Sequence, residues 1–101
     1  MDIEGLVTEQ GALLVWLREQ SGLTQEQLAA KSCTSCDLIR SIEQGDFAPG
    51  LRIISRLCAH GLGVSAGDLL EALLRCYLGY EPTAIDAYQA ILKEKHAAPA
   101  G

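Results

Sequence analysis

The sequence predicts an all-α fold, and three observations carry that expectation. Apolar residues recur at three- and four-residue spacing almost throughout, as they do on one face of a helix. No stretch shows the strict alternation of a half-buried strand. Residues suited to starting and stopping helices punctuate the chain at helix-length intervals.

The elements follow in order. A first helix is expected from about Glu9 to Ser21, with Thr8 as its N-cap and Gly22 as its stop. Thr24 caps a second helix to about Lys31, and Ser35 caps a third that runs through Ile39 and Ile42 to Gln44, where Gly45 ends it. Asp46, Ala48, Pro49 and Gly50 make the next connection, and a fourth helix follows from about Leu51 to His60. Gly61 and Gly63 each cost about 1 kcal/mol inside a helix, so the fourth is expected to stop before them. Ser65, with Asp68 three residues on, forms a capping box for a fifth helix to about Tyr77. Gly79 breaks that helix, and Pro82 suits the first turn of a sixth ending near His96. The tail from Ala97 to Gly101 is expected to fray.

A chain of 101 residues supports one hydrophobic core, so residues 1–101 read as a single domain. With an aromatic share of 5%, that core must be built from aliphatic side chains. No run approaches the roughly 18 apolar residues that cross a bilayer. Met1 is followed by Asp2 and Glu4, where a secretory signal would be basic and then apolar. A soluble cytoplasmic protein without a membrane partner is expected, and its four cysteines then read as reduced thiols. The net charge of -5 argues against a generic polyanion binder, because nonspecific affinity for nucleic acid comes mainly from Lys and Arg on phosphates. From Gly22 to His60, however, Lys31, Arg40, Arg52 and Arg56 balance Glu26, Asp37, Glu43 and Asp46. The excess of acid lies in the flanks, at residues such as Asp2, Glu4, Glu71, Glu81 and Asp86.

Between Gln25 and Glu43 the spacing is that of two short helices joined by a tight turn. Ala29 is the small residue at their crossing, and Leu28, Ile39 and Ile42 face inward. Here the sequence resembles the Xre and Cro repressor family of helix-turn-helix regulators. The resemblance covers roughly Leu14 to Leu70. Its hallmarks are Gly22-Leu23-Thr24-Gln25-Glu26-Gln27-Leu28-Ala29, then Ile39, Ile42-Glu43-Gln44-Gly45, Pro49 and Leu62-Gly63-Val64-Ser65.

The resemblance implies a five-helix, repressor-type helix-turn-helix domain over residues 9–70, with an added C-terminal helix in the extension 71–101. It also implies a transcriptional regulator of bacterial or phage type that binds double-stranded DNA. Arg18 and Glu43 match a family pair that forms an internal salt bridge. Gln25 matches a glutamine that touches phosphate at the start of the second helix, where the positive helix end favours an anion. Ser35, Cys36, Asp37, Arg40 and Ser41 occupy the recognition-helix region, helix 35–44, that meets base edges in the major groove. Of these only Arg40 is a natural base reader, able to donate two hydrogen bonds to guanine. Arg52 and Arg56, on the following helix, would hold the backbone. The sequence departs from the family at Asp37, whose charge repels phosphate unless it accepts from a cytosine amino group or is held by Arg40. It departs again at Asp46 and Phe47, where the family often has basic or polar residues.

Cys33-Thr34-Ser35-Cys36 has the spacing of a metal or redox pair, which Cys58 and Cys76 would extend to four thiolates. The plainer reading is preferred: a turn residue at Cys33, an outward Cys36 and a small packed side chain at Cys58. No metal and no cofactor are expected. Cys36 at a helix N-terminus is expected to have some thiolate character. His60 and His96 fit a helix end and a tail. Without a nucleophile paired to a base, paired carboxylates or a glycine-rich phosphate loop, no enzyme is expected.

The first helix needs only Leu14 and Leu17 for its core stripe, so Leu13, Val15 and Trp16 require another cover. Within one chain, a sixth helix bearing Ile85, Tyr88, Ile91 and Leu92 would serve. Between chains, Leu13, Val15, Trp16, Tyr77, Tyr88, Ile91 and Leu92 would form a dimer interface, supported by Leu73, Leu74, Leu78 and Tyr80. A homodimer is expected, reading two half-sites by its symmetry. The alternative is a repurposed fold that binds a protein partner, an anti-activator or antitoxin-like regulator with little affinity for DNA.

Overall fold

The computed structural model of the chain describes residues 1–96, and the expectations for the tail beyond them lie outside the described residues. Among the described residues the fold is all-helical, as expected. The helices are α1 (Ile3–Gln20), α2 (Gln25–Ser32), α3 (Cys36–Glu43), α4 (Leu51–Arg56), which widens into a π-helical segment (Leu57–Leu62), α5 (Ala66–Tyr77) and α6 (Ala84–His96).

Most boundaries follow from local capping chemistry. Thr24 and Gln27 close a reciprocal capping box at the head of α2: Thr24 Oγ1 accepts from the Gln27 N–H at 3.0 Å and Gln27 Oε1 accepts from the Thr24 N–H at 2.8 Å. Ser35 Oγ accepts from the Leu38 N–H at 3.1 Å and starts α3. Cys33, at the C-terminal end of α2, takes the left-handed conformation with φ 55°, which glycine usually fills.

Four expectations are corrected. The first helix begins at Ile3, six residues early, because Asp2 rather than Thr8 caps it, accepting from the Gly5 N–H at 2.7 Å. The fourth helix does not stop before Gly61. The backbone widens by one residue per turn and carries Gly61 into a buried π-helical turn against α2, and the chain leaves the helix at Gly63 with φ 66°. At α5, Ser65 Oγ accepts from the Asp68 N–H at 3.2 Å. The Asp68 carboxylate turns to Lys95 Nζ at 2.7 Å instead of closing the box. At α6, Pro82 precedes the cap. Thr83 Oγ1 accepts from the Asp86 N–H at 3.1 Å, and Glu9 of α1 accepts from the Ala84 N–H at 2.7 Å, setting a carboxylate on the positive end of the helix.

All of these segments contribute to one aliphatic core, in which Leu13, Leu28, Ile39, Ile42, Cys58 and Cys76 are fully buried. Helix α6 lies over α1 and α5. Trp16 meets Tyr88 edge-on with ring centroids 6.1 Å apart, and Arg75 on α5 bonds Glu94 on α6 at 2.7 Å. The cover for the extra apolar positions of α1 is therefore intramolecular. Leu13, Tyr88 and Ile91 are buried inside the protomer and Trp16 and Leu92 are packed against the same core, while Val15 is half-buried. The expected interface is corrected at Leu13, Tyr88 and Ile91, because α6 has already removed them from water.

Where α1 crosses α3, the approach is set by Gly11. A Cβ there would collide with the Ile42 carbonyl oxygen and stand 2.9 Å from the Glu43 carbonyl oxygen. Backbone cannot retreat as a flexible side chain can. Gly11→Ala is expected to destabilise the fold by about 1–3 kcal/mol through overpacking, even though alanine recovers about 1 kcal/mol of helix propensity. Urea unfolding measures it, and an unchanged or raised midpoint would show that α1 and α3 separate at no cost.

Candidate nucleic-acid interface

The chain from Gln25 to Glu43 forms two helices and a tight turn, held from behind by a polar clamp. Arg18 on α1 donates from Nε to Glu43 Oε2 at 2.6 Å, from Nη2 to Glu43 Oε1 at 3.1 Å and from Nη1 to the Leu23 carbonyl at 2.9 Å. Gln25 Nε2 adds a bond to Glu43 Oε1 at 2.8 Å. One carboxylate thus ties together α1, the head of α2 and the end of α3, with only 6% of its side-chain surface exposed. The bond to Glu43 holds the Arg18 guanidinium above its ordinary pKa. Gln25 spends one amide N–H on this clamp. A phosphate contact there would use the other N–H and the backbone N–H at the helix start.

Ile39 and Ile42 turn into the core, so α3 presents the opposite face. Asp37 has 90% of its side-chain surface exposed and Arg40 49%, and Arg40 Nη1 donates to Asp37 Oδ1 at 2.9 Å. Cys36 sits beside them, its Sγ 3.9 Å from Arg40 Nη2 and 3.7 Å from Glu26 Oε1. Ser41 is half-buried one position beyond Arg40, and Ser35 is exposed at the cap. On α4, Arg52 is exposed and Arg56 half-buried, and among the described residues neither enters an ion pair. Arg40 is therefore the one basic side chain of α3, flanked by two acids.

The expected thiolate character of Cys36 is corrected. Desolvation and then the Glu26 carboxylate push its thiol above the ordinary range, outweighing Arg40. Burial pushes the Cys58 thiol up to about 11 and raises that of Cys76 as well. Among the described residues no group of three or more His, Cys, Asp or Glu side chains is placed to hold a metal ion. Alkylation at pH 8 is expected to modify the exposed Cys33 in the native protein and Cys58 only after unfolding, with a chelator leaving the thermal midpoint unchanged. Mass spectrometry and a melting curve check both; a metal lost together with structure would overturn the packing account of these thiols.

Sequence reasoning missed two residues that shape this interface. Gly11 and Gly61 let α1 and the π-helical segment approach α3 and α2 closely, a Cβ on Gly61 falling 2.5 Å from Leu28 Cδ1. The only local signal is a glycine inside an apolar helical pattern.

The family described as a helix-turn-helix domain matches residues 9–73, more than half of the chain. No curated protein matches the chain. Among solved structures, a point mutant of the restriction-modification controller protein C.Esp1396I superposes with a TM-score of 0.64 at 26% identity, over 75% of this chain and 97% of that one. Helix α6 begins beyond the family match. The chain belongs to the helix-turn-helix domain family, and it is an Xre-type helix-turn-helix regulator. Among the described residues no helix is long and apolar enough to cross a membrane.

Proposed function

We propose that the chain is a sequence-specific transcriptional regulator that reads the major groove with α3 and does so as a homodimer. The observation that carries this reading is the exposed Arg40 on a short amphipathic helix whose other face is buried and whose end is fixed by the Glu43 clamp. A pre-positioned helix with one bidentate donor suits base recognition. Arg52 and Arg56 supply phosphate contacts from the next helix.

Two reading heads are needed to give one short helix adequate selectivity, and an apolar groove provides the means. Ile3 and Leu6 of α1 line it together with Leu70, Leu73, Leu74 and Tyr77 of α5, and Ile3, Leu74 and Tyr77 are exposed. Tyr77 stays in the proposed interface, and these neighbours take the place of the residues that α6 buries. Sedimentation is expected to show a dimer at micromolar concentration, with Leu74→Glu shifting it to monomer; a wild-type chain that stays monomeric with operator DNA would refute the dimer.

The net charge of -5 and the internal pairing of Arg40 favour a second reading, a regulator that binds protein through the same apolar groove. Selection of bound fragments from the source genome separates the two. Recovery of a shared motif supports DNA recognition, and failure to retain any fragment at low salt hands the role to the protein partner.

A further inference from the structure

We propose that Asp37 is a base-reading residue, and that the Asp37 and Arg40 pair reads guanine together with the cytosine amino group beside it. The inference rests on the reading of α3 as the recognition helix. Arg40 Nη1 is bonded to Asp37 Oδ1 at 2.9 Å, on the exposed face of α3 and one turn apart. An exposed ion pair contributes little to stability, and a carboxylate in the first turn of α3 adds only a modest gain from the helix dipole, so folding gives only a weak reason for an acid here. Its effect on binding is large in either direction. A carboxylate pointed at phosphate opposes the electrostatic attraction on which nonspecific affinity depends. A carboxylate pointed at base edges accepts a hydrogen bond from cytosine N4.

The pattern of donors and acceptors favours the second arrangement. Viewed from the major groove, a guanine·cytosine pair offers two acceptors, guanine N7 and O6, and then one donor, the cytosine amino group. The ion pair offers the complement: the N–H donors of the Arg40 guanidinium and, bonded to it, the acceptor oxygens of Asp37. An adenine·thymine pair offers acceptor, donor, acceptor and then a methyl group, which leaves Asp37 facing an oxygen. Asp37 keeps most of its surface open, so its second oxygen is free to accept while the first holds Arg40 in place. The same charge penalises sites that lack a donor. Asp37 thereby trades nonspecific affinity for selectivity, on a surface already short of cations.

The test is binding-site selection from a randomised duplex library with wild type, Asp37→Ala and Asp37→Asn, followed by titration against the selected and scrambled duplexes. Circular dichroism checks that both variants keep their helices. Asp37→Ala is expected to weaken the discrimination in favour of that guanine·cytosine pair by about fivefold, the lower end of the range for a base contact because Arg40 still reads the guanine, to keep the other positions and to bind scrambled DNA more tightly at low salt. Asp37→Asn is expected to keep part of that preference, because its amide oxygen still accepts from cytosine N4, while binding scrambled DNA as tightly as Asp37→Ala does, because the charge is gone. A purely structural role for Asp37 would not produce that split between the two variants. If wild type selects a motif and both variants select the same motif with the same discrimination, the proposal is wrong while the recognition-helix reading stands. If wild type selects no motif, the recognition-helix reading fails and the proposal with it.

Discussion

Arg18→Met is expected to destabilise the fold by about 3 kcal/mol and to weaken DNA binding with it. Glu43 has 6% of its side-chain surface exposed and takes two of its hydrogen bonds from Arg18; removing the guanidinium leaves a desolvated carboxylate with Gln25 as its remaining partner. Breaking a buried pair from one side typically costs about 3–5 kcal/mol, because the survivor stays buried and unpaired. The lower end applies here, since Gln25 remains and Arg18 itself keeps 16% exposure. Loss of the Arg18 bond to the Leu23 carbonyl also loosens the turn that leads into α2. The double variant Arg18→Met/Glu43→Leu is expected to recover most of the loss, since replacing a whole buried pair by apolar side chains is often neutral or stabilising. Urea unfolding of the single and double variants measures both effects. A single variant within 1 kcal/mol of wild type, a margin on the order of a surface pair, would show that solvent rather than Arg18 compensates Glu43.

The clamp also marks where sequence reading succeeds. Arg18 and Glu43 stand 25 residues apart, and their contact is recognisable only because the family motif around them is recognisable. The starts of α2, α3 and α5 were legible for a different reason. Each is set by a Ser or Thr bonding to an N–H three residues on, an interaction complete within four residues. The start of α1 was not legible, because Gly5 and Thr8 are weak helix formers and the deciding cap, Asp2, lies before them. The path through Gly61 was hidden as well. Its cost in propensity is local, while the contact with Leu28 that compensates it comes from a helix some 30 residues away.

At the proposed recognition surface, residue types were legible and their pairings only in part. Arg40 as reader and Asp37 as liability follow from side-chain chemistry, and Asp37 was expected to be held by Arg40 or to accept from a base. The bond between them, and the bond that turns Gln25 toward Glu43, depend on rotamers chosen against the folded surroundings. The same limit explains the dimer residues. An apolar excess on α1 announces that something covers it, and only the placement of α6 shows that the cover comes from the same chain.

Arg40→Ala is expected to lower affinity for the selected operator by about 1–3 kcal/mol per reading head, the worth of one bidentate contact with guanine, while leaving the unfolding midpoint near that of wild type. The fold is spared because Arg40 is half exposed and bonds only to neighbours on its own face of α3, so its removal opens no cavity. The specificity effect should be unusually concentrated, because α3 carries no other basic side chain to take over the contact. Arg52→Ala provides the contrast. On α4, away from the reading face, it is expected to weaken selected and scrambled duplexes alike and to flatten the salt dependence by about one phosphate contact. Titration of both variants against both duplexes at two salt concentrations separates base contact from backbone contact. In the free protein Arg40 is partly neutralised by Asp37, so part of its binding energy goes into sharing that partner with guanine. Arg40→Ala with Asp37→Ala should therefore lose less than the sum of the two single changes at the operator, the coupling expected of two groups in direct contact. Strict additivity, or an Arg40→Ala variant that holds its best site as tightly as wild type, would place the reading contact elsewhere on the surface.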